Sequence, residues 1–206
     1  ITLNCSVIPP ALLEMELLGF QKETYTAEPQ TLQIGRIEQA LGGTLFIEDI
    51  DKMPLPVQGK LLNYMVDHSF YRVGGVEKIT SPTRIITSTS ESIEILVKHG
   101  NFSEQLYFHL SVITIDIPPL RSRKEDIITN AKNFIQEFSS KYKKPVPEIS
   151  SETMNQLVNY DWPGNIRELR NTIERLVLLT DQSVITDEHL PENMKSKVMA
   201  KQSTSQ

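Results

Sequence analysis

Gly42-Gly43-Thr44-Leu45-Phe46-Ile47-Glu48-Asp49 is the stretch from which the fold follows. An apolar run of this length reads as a buried parallel strand, and acids at its carboxyl end stand where open α/β sheets bind ligands. Nucleotide hydrolases hold magnesium at such a place. One carboxylate takes the metal, directly or through its waters, and the next polarises an attacking water; neighbours on a strand point apart, so two roles need two residues. The same acids also read as a solvated strand end, since charged residues are common there.

Outward from this strand the chain alternates strands with helices. Residues 1–3 read as a strand, Pro9-Pro10 opens a helix that runs to Leu18 and is closed by Gly19, and a short helix over 35–41 leads into the acid-tipped strand. Residues 20–33 are polar, carry Thr24, Thr26, Pro29 and Thr31, lack a helical period, and read as a projecting loop. Downstream, Pro54 and Pro56 open a helix in which Val57, Leu61, Leu62 and Met65 recur at three-to-four spacing. Stretches 70–73 and 76–79 flank Gly74-Gly75, the two-residue turn of a tight hairpin. Arg84-Ile85-Ile86 predicts a core strand, 91–98 and 103–110 predict helices, and 112–117 predicts a last strand. The alternation implies an α/β fold with a mainly parallel sheet flanked by helices.

Pro118-Pro119 marks a change of regime. After it, residues 124–143, 150–160 and 164–180 form amphipathic helical patterns separated by Pro145-Val146-Pro147 and Trp162-Pro163. The expected organisation is an α/β subdomain over 1–117, a small all-helical domain over 118–190, and a linker or frayed tail over 191–206. Lys+Arg 21 against Asp+Glu 26 leaves a net charge of -5, which gives no general pull toward nucleic acid or anionic lipid. DNA contact therefore needs another segment. The one cysteine, Cys5, excludes an internal disulfide framework and fits a reducing cytoplasm, and no apolar run approaches a membrane span. Ile1 already lies inside an apolar stretch, so the chain is expected to be a piece of a longer protein.

Taken together, Leu3-Asn4-Cys5, Leu12-Leu13-Glu14, residues 42–50, Met53-Pro54-Leu55, Arg72-Val73-Gly74-Gly75, Pro118-Pro119-Leu120-Arg121, Glu125-Asp126-Ile127 and residues 162–171 resemble one family. It is the AAA+ central domain of bacterial sigma-54-dependent transcription activators, matched in order over residues 1–180. The resemblance implies a parallel-sheet AAA+ core followed by a helical lid. It also implies a homo-oligomeric, hexameric ring that binds ATP and Mg between subunits and remodels RNA polymerase held closed by its sigma factor. A receiver or sensor domain is expected upstream, as in response regulators, and a helix-turn-helix DNA-binding domain downstream.

Measured against that family, the scaffold is present while the reactive positions differ. The phosphate cradle G-x-x-x-x-G-K-[ST] has no match, because Gly59-Lys60 lacks the preceding glycine and the following hydroxyl; it is expected before Ile1. Glu48 and Asp49 occupy the catalytic pair, Glu48 at the metal position, in the inverse of the family's Asp-Glu order. Each side chain differs in reach by about 1.5 Å, a displacement that costs ~100-fold where attack geometry is critical. Asn4 matches the asparagine that bonds the catalytic glutamate, and a shorter Asp49 is expected to fall out of its reach; the alternative is a strand-end turn asparagine. Ser90 replaces the asparagine that senses the γ-phosphate. Ser103 and His109 replace two arginines that reach a neighbouring subunit's site, and such trans-acting charge is worth ~10³ or more in rate.

Arg167 matches the arginine that reaches from the lid to the nucleotide, although Pro163-Gly164-Asn165 is also a sound helix start and Leu169, Ile173 and Leu176 form a core stripe. In the projecting loop, Tyr25 and Thr26 persist from the tip that touches sigma-54, while Glu23 and Ala27 stand in place of glycines. The expectation is a degenerate activator-type AAA+ domain of a transcription regulator that assembles or binds partners without efficient hydrolysis. A slow ATP-hydrolysing activator of sigma-54 polymerase and a truncated interaction fragment are the alternatives.

Overall fold

The computed structural model describes residues 1–21, 32–180, 183–192 and 194. Two compact units divide between Thr114 and Ile115. Along the first run β1 (Thr2–Asn4), α1 (Leu13–Leu18), β2 (Gly19–Gln21), β3 (Leu32–Ile34), α2 (Arg36–Gln39), β4 (Thr44–Glu48), α3 (Leu55–Asp67), β5 (Ser69–Tyr71), β6 (Lys78–Thr80), β7 (Arg84–Thr87), α4 (Ile93–Lys98) and α5 (Glu104–Leu110).

β4 is the centre of a parallel sheet ordered β1-β4-β7, in which Asn4 lies beside Glu48 and Phe46 beside Ile86. Its central place follows from its composition: Leu45 and Ile47 are wholly buried and pack with Leu3, Leu13, Leu17, Ile37, Leu61 and Tyr64. Each such side chain contributes about 1.5–3 kcal/mol on burial. Tyr64 adds a hydrogen bond from its hydroxyl to the Ser81 carbonyl at 2.6 Å. The proline-opened segment is a 3₁₀ turn, Pro10–Leu12, running into α1.

Two strands of the projecting loop are ordered into an antiparallel neck, β2 against β3, where sequence alone read only loop. The neck is closed by glycines. Gly19 has φ 84°, and a Cβ on Gly35 would stand 2.3 Å from the Gly19 nitrogen. Tyr25 and Thr26 lie outside the described residues.

The tight hairpin around Gly74-Gly75 is corrected to a wider one. β5 and β6 pair antiparallel and end at Tyr71↔Lys78, leaving residues 72–77 between them. Val73 is taken by the loop neck instead: its N–H donates to the Gly19 carbonyl and its carbonyl accepts from Gln21, both at 3.0 Å. Arg72 is drawn to Glu38, with two nitrogens 3.1 and 2.7 Å from its carboxylate oxygens. The strand expected over 112–117 is absent. Without a partner strand among the described residues the segment stays irregular, and Val112, Ile113, Ile115 and Ile117 are 76–81% exposed.

The second unit contains α6 (Lys124–Tyr142), β8 (Glu148–Ile149), α7 (Ser151–Asn159), α8 (Asn165–Leu179) and β9 (Val184–Ile185). Three amphipathic helices enclose Ile127, Phe138, Leu157, Trp162, Leu169, Ile173 and Leu176. Trp162 is fully buried with its indole N–H on the Leu157 carbonyl at 2.8 Å. To the helices read from the sequence the structure adds a short parallel pair, β8 with β9. Met194, in the stretch read as linker, is buried in this core. No helix among the described residues is long and apolar enough to cross a membrane.

Candidate functional site

The acids end the central strand. Because β1 and β4 run parallel with Asn4 beside Glu48, the two side chains leave the sheet on the same face, and the Asn4 amide donates to Glu48 Oε2 at 2.8 Å. Ser6 fixes the other end of Asn4: its backbone N–H and hydroxyl donate to Asn4 Oδ1 at 2.9 and 2.7 Å. Asn4 is therefore a positioning group for the first acid. Asp49 follows in the left-handed region, φ 51° and ψ 50°, which turns the chain out of the strand. Its carboxylate makes no hydrogen bond or ion pair among the described residues.

Behind the pair stands a network that sequence reasoning missed. The Asp51 side chain is wholly shielded from solvent, accepts from the Thr89 hydroxyl at 3.0 Å, and pairs with Lys52 at 3.0 Å. Lys52 also bonds Glu91, and Glu91 first, then Asp51, hold its ammonium above its usual range. The backbone continues the same stitching, since Ser88 N–H donates to the Ile47 carbonyl and Ile50 N–H to the Ser88 carbonyl. The ends of β4 and β7 are thus clamped together just beyond the sheet. The adjacent opposite charges of Asp51-Lys52 were the available signal, but nothing local said that Thr89 and Glu91 would meet them.

Cys5 reports the field at this edge. Burial first, then the charges of Asp49 and Asp51, push its thiol up to about 12. The site is electronegative, and its fit to a cation rests on Glu48. Magnesium takes one or two protein carboxylates and completes its shell with water and phosphate. Glu48 Oε1 is unengaged among the described residues, so this acid fits that demand as a single carboxylate; no group of three or more His, Cys, Asp and Glu that could hold a metal exists among the described residues.

The remaining positions are dispersed. Ser90 is exposed in the bend after β7. Ser103 caps α5, its hydroxyl accepting from Leu106 N–H at 3.3 Å while its own N–H donates to Gln58 Oε1 at 2.8 Å. His109 folds back within α5, with Nδ1 2.9 Å from the Gln105 carbonyl. Both side chains serve their own helix. Arg167 lies in the second unit on the first turn of α8, exposed and without an ion pair or hydrogen bond among the described residues. That helix start is built by its neighbours: Asn165 Oδ1 accepts from Leu120 N–H at 2.8 Å, and Glu168 accepts from Gly164 N–H at 2.8 Å.

Residues 1–116 match the family model described as the Sigma-54 interaction domain, and residues 121–206 match the AAA+ ATPase lid domain. The chain belongs to the sigma-54 interaction domain family. Among its relatives are the nitrogen fixation protein VnfA of Azotobacter vinelandii, 42% identical over 95% of this chain and 37% of that protein, and the DNA-binding transcriptional regulator NtrC of Klebsiella pneumoniae, 39% identical over 94% of this chain and 41% of that protein. NtrX from Brucella abortus, solved in complex with ADP, superposes with a TM-score of 0.86 at 34% identity, covering 94% of this chain and 44% of that one. The α/β core with a helical lid is the AAA+ fold, and this family's relatives are transcriptional regulators. The chain spans about two fifths of the length of the curated relatives it matches.

Proposed function

We propose that this chain is the AAA+ portion of a bacterial transcription regulator that binds nucleotide through a weakened catalytic apparatus and acts chiefly by assembly and partner contact. One observation carries the reading. The positioning amide of Asn4 is spent on Glu48, so the residue that would polarise water, Asp49, is one methylene shorter and has no group to aim it. Aim matters because a displacement of about 1 Å costs on the order of 100-fold in rate. Ser103 and His109 support the same reading, being neutral or weakly basic and already bonded within α5.

Magnesium, bound with nucleotide, supplies neutralisation of phosphate charge. Glu48 is the residue that would hold it, Arg167 the residue that would meet the nucleotide from the lid, and Ser90 a shortened contact after β7. The proposed partners are further copies of the chain in a ring and the sigma factor of RNA polymerase. DNA would be reached through a domain outside these residues, and the working place is the cytoplasm. The solved NtrX complexes with ADP and ATP support nucleotide as the ligand class.

ATP turnover by the full-length regulator, with and without Glu48→Ala, tests the proposal. Slow or undetectable phosphate release that Glu48→Ala barely changes is expected. Fast magnesium-dependent release that the substitution abolishes would establish an efficient hydrolase instead.

A further inference from the structure

We propose that the outward face of α8 is a two-point site for a polyphosphate chain, with Arg175 as a second anion contact two turns beyond Arg167. Arg167, Asn171 and Arg175 recur at four-residue spacing and so share one face. All three are exposed. Eight residues of helix separate the two arginine backbones by about 12 Å, a gap that two long side chains converge across.

Neither Arg167 nor Arg175 has an ion pair or hydrogen bond among the described residues. On the same helix, Arg170 shows what a structural arginine does: it pairs with Glu137 and lies 4.8 Å over the Phe138 ring. The two uncommitted guanidinium groups border one hollow of about 450 Å³, completed by Gly164, Asn171, Thr172 and Pro191. That volume falls within the range of small-ligand sites, about 300–1,000 Å³. The one carboxylate in its lining, Glu168, accepts from Gly164 N–H at 2.8 Å and from the Tyr160 hydroxyl at 3.3 Å. The lining thus carries two guanidinium cations against one carboxylate, with Asn171 and Thr172 as neutral polar groups.

Planar guanidinium forks match phosphate oxygens, and two of them separated along a helix favour an extended anion over a small one. The ligand chemistry is therefore a chain of phosphates, either inorganic or carried by a nucleoside. The inference rests on the reading of Arg167 as a nucleotide contact and adds Arg175, Asn171 and Thr172 to it.

Titration calorimetry of the 206-residue chain with sodium tripolyphosphate, orthophosphate and ATP tests it, using Arg167→Gln, Arg175→Gln, Arg175→Lys and, as a charge control, Arg84→Gln on the exposed start of β7. Tripolyphosphate is expected to bind more tightly than orthophosphate. Each glutamine substitution on α8 should weaken it about fivefold or more, Arg175→Lys should recover part of the loss, and Arg84→Gln should change nothing. ATP binding tighter than tripolyphosphate would identify the nucleoside-borne chain as the ligand, and equal binding the bare phosphate chain. Loss on Arg167→Gln alone would overturn the two-point site while leaving the lid arginine as a nucleotide contact. Unchanged ATP binding in Arg167→Gln would remove that contact as well. Equal losses in all three glutamine variants, or no binding of tripolyphosphate, would also overturn the site.

Discussion

Cys5 and Asn4, adjacent in the chain, read the acid edge in two different ways. The Cys5 thiol, pushed up to about 12 from an ordinary value near 9.0, keeps its proton in the folded chain over a range where the unfolded chain has lost it. Stability should therefore fall as pH rises from about 9 toward 12, and Cys5→Ala should flatten that slope in urea unfolding at stepped pH. Asn4 is read by its amide. Replacing it with alanine strips Glu48 of its donor and Ser6 of its acceptor, with an expected loss of about 1–2 kcal/mol in chemical unfolding. At this scale the sequence named the residues, but the partner of Asn4 was legible only as far as the shortness of Asp49. The bond to Glu48 spans 44 residues and depends on a register that only strand pairing sets.

Elements show where packing overrode pattern. The neck of the projecting loop exists because Gly19 and Gly35 let two backbones approach, so Gly35→Ala, whose Cβ would meet backbone atoms at 2.3 Å, should destabilise by about 1–3 kcal/mol or more in urea unfolding. The start of α8 depends on Glu168 reaching back to Gly164; Glu168→Ala should cost about 1 kcal/mol, read from the thermal midpoint. Residues 112–117 are the opposite case. Their β-branched composition reads as a strand, yet a strand needs a neighbour for its N–H and C=O groups, and none stands beside it among the described residues. Ile113 and Ile115 are 78% and 81% exposed, so changing both to Asp should reduce concentration-dependent association measured by light scattering.

The whole molecule carries two hydrophobic cores with no residue in common. Trp162, the one tryptophan, is buried in the second and makes its emission a report on that core alone. Leu45→Ala in the first core should cost about 2–5 kcal/mol, lowering the transition followed by circular dichroism while leaving the Trp162 emission midpoint in place. A common shift of both signals would instead show the two units unfolding as one.

Legible in the residues alone were the family, the acid-tipped central strand, the order of strands and helices up to α5 apart from β2 and β3, and the three lid helices. Those features are written in runs, spacings and proline or glycine punctuation, which act over a few residues. Tertiary structure decided which acid Asn4 holds, the burial of Asp51 under Lys52 and Thr89, the widening of the hairpin at Arg72, the pairing of β8 with β9, and the pair of uncommitted arginines on α8. Each of these depends on groups far apart in the chain meeting at hydrogen-bond distance, and short-range pattern carries no information about which distant donor or charge will be left over.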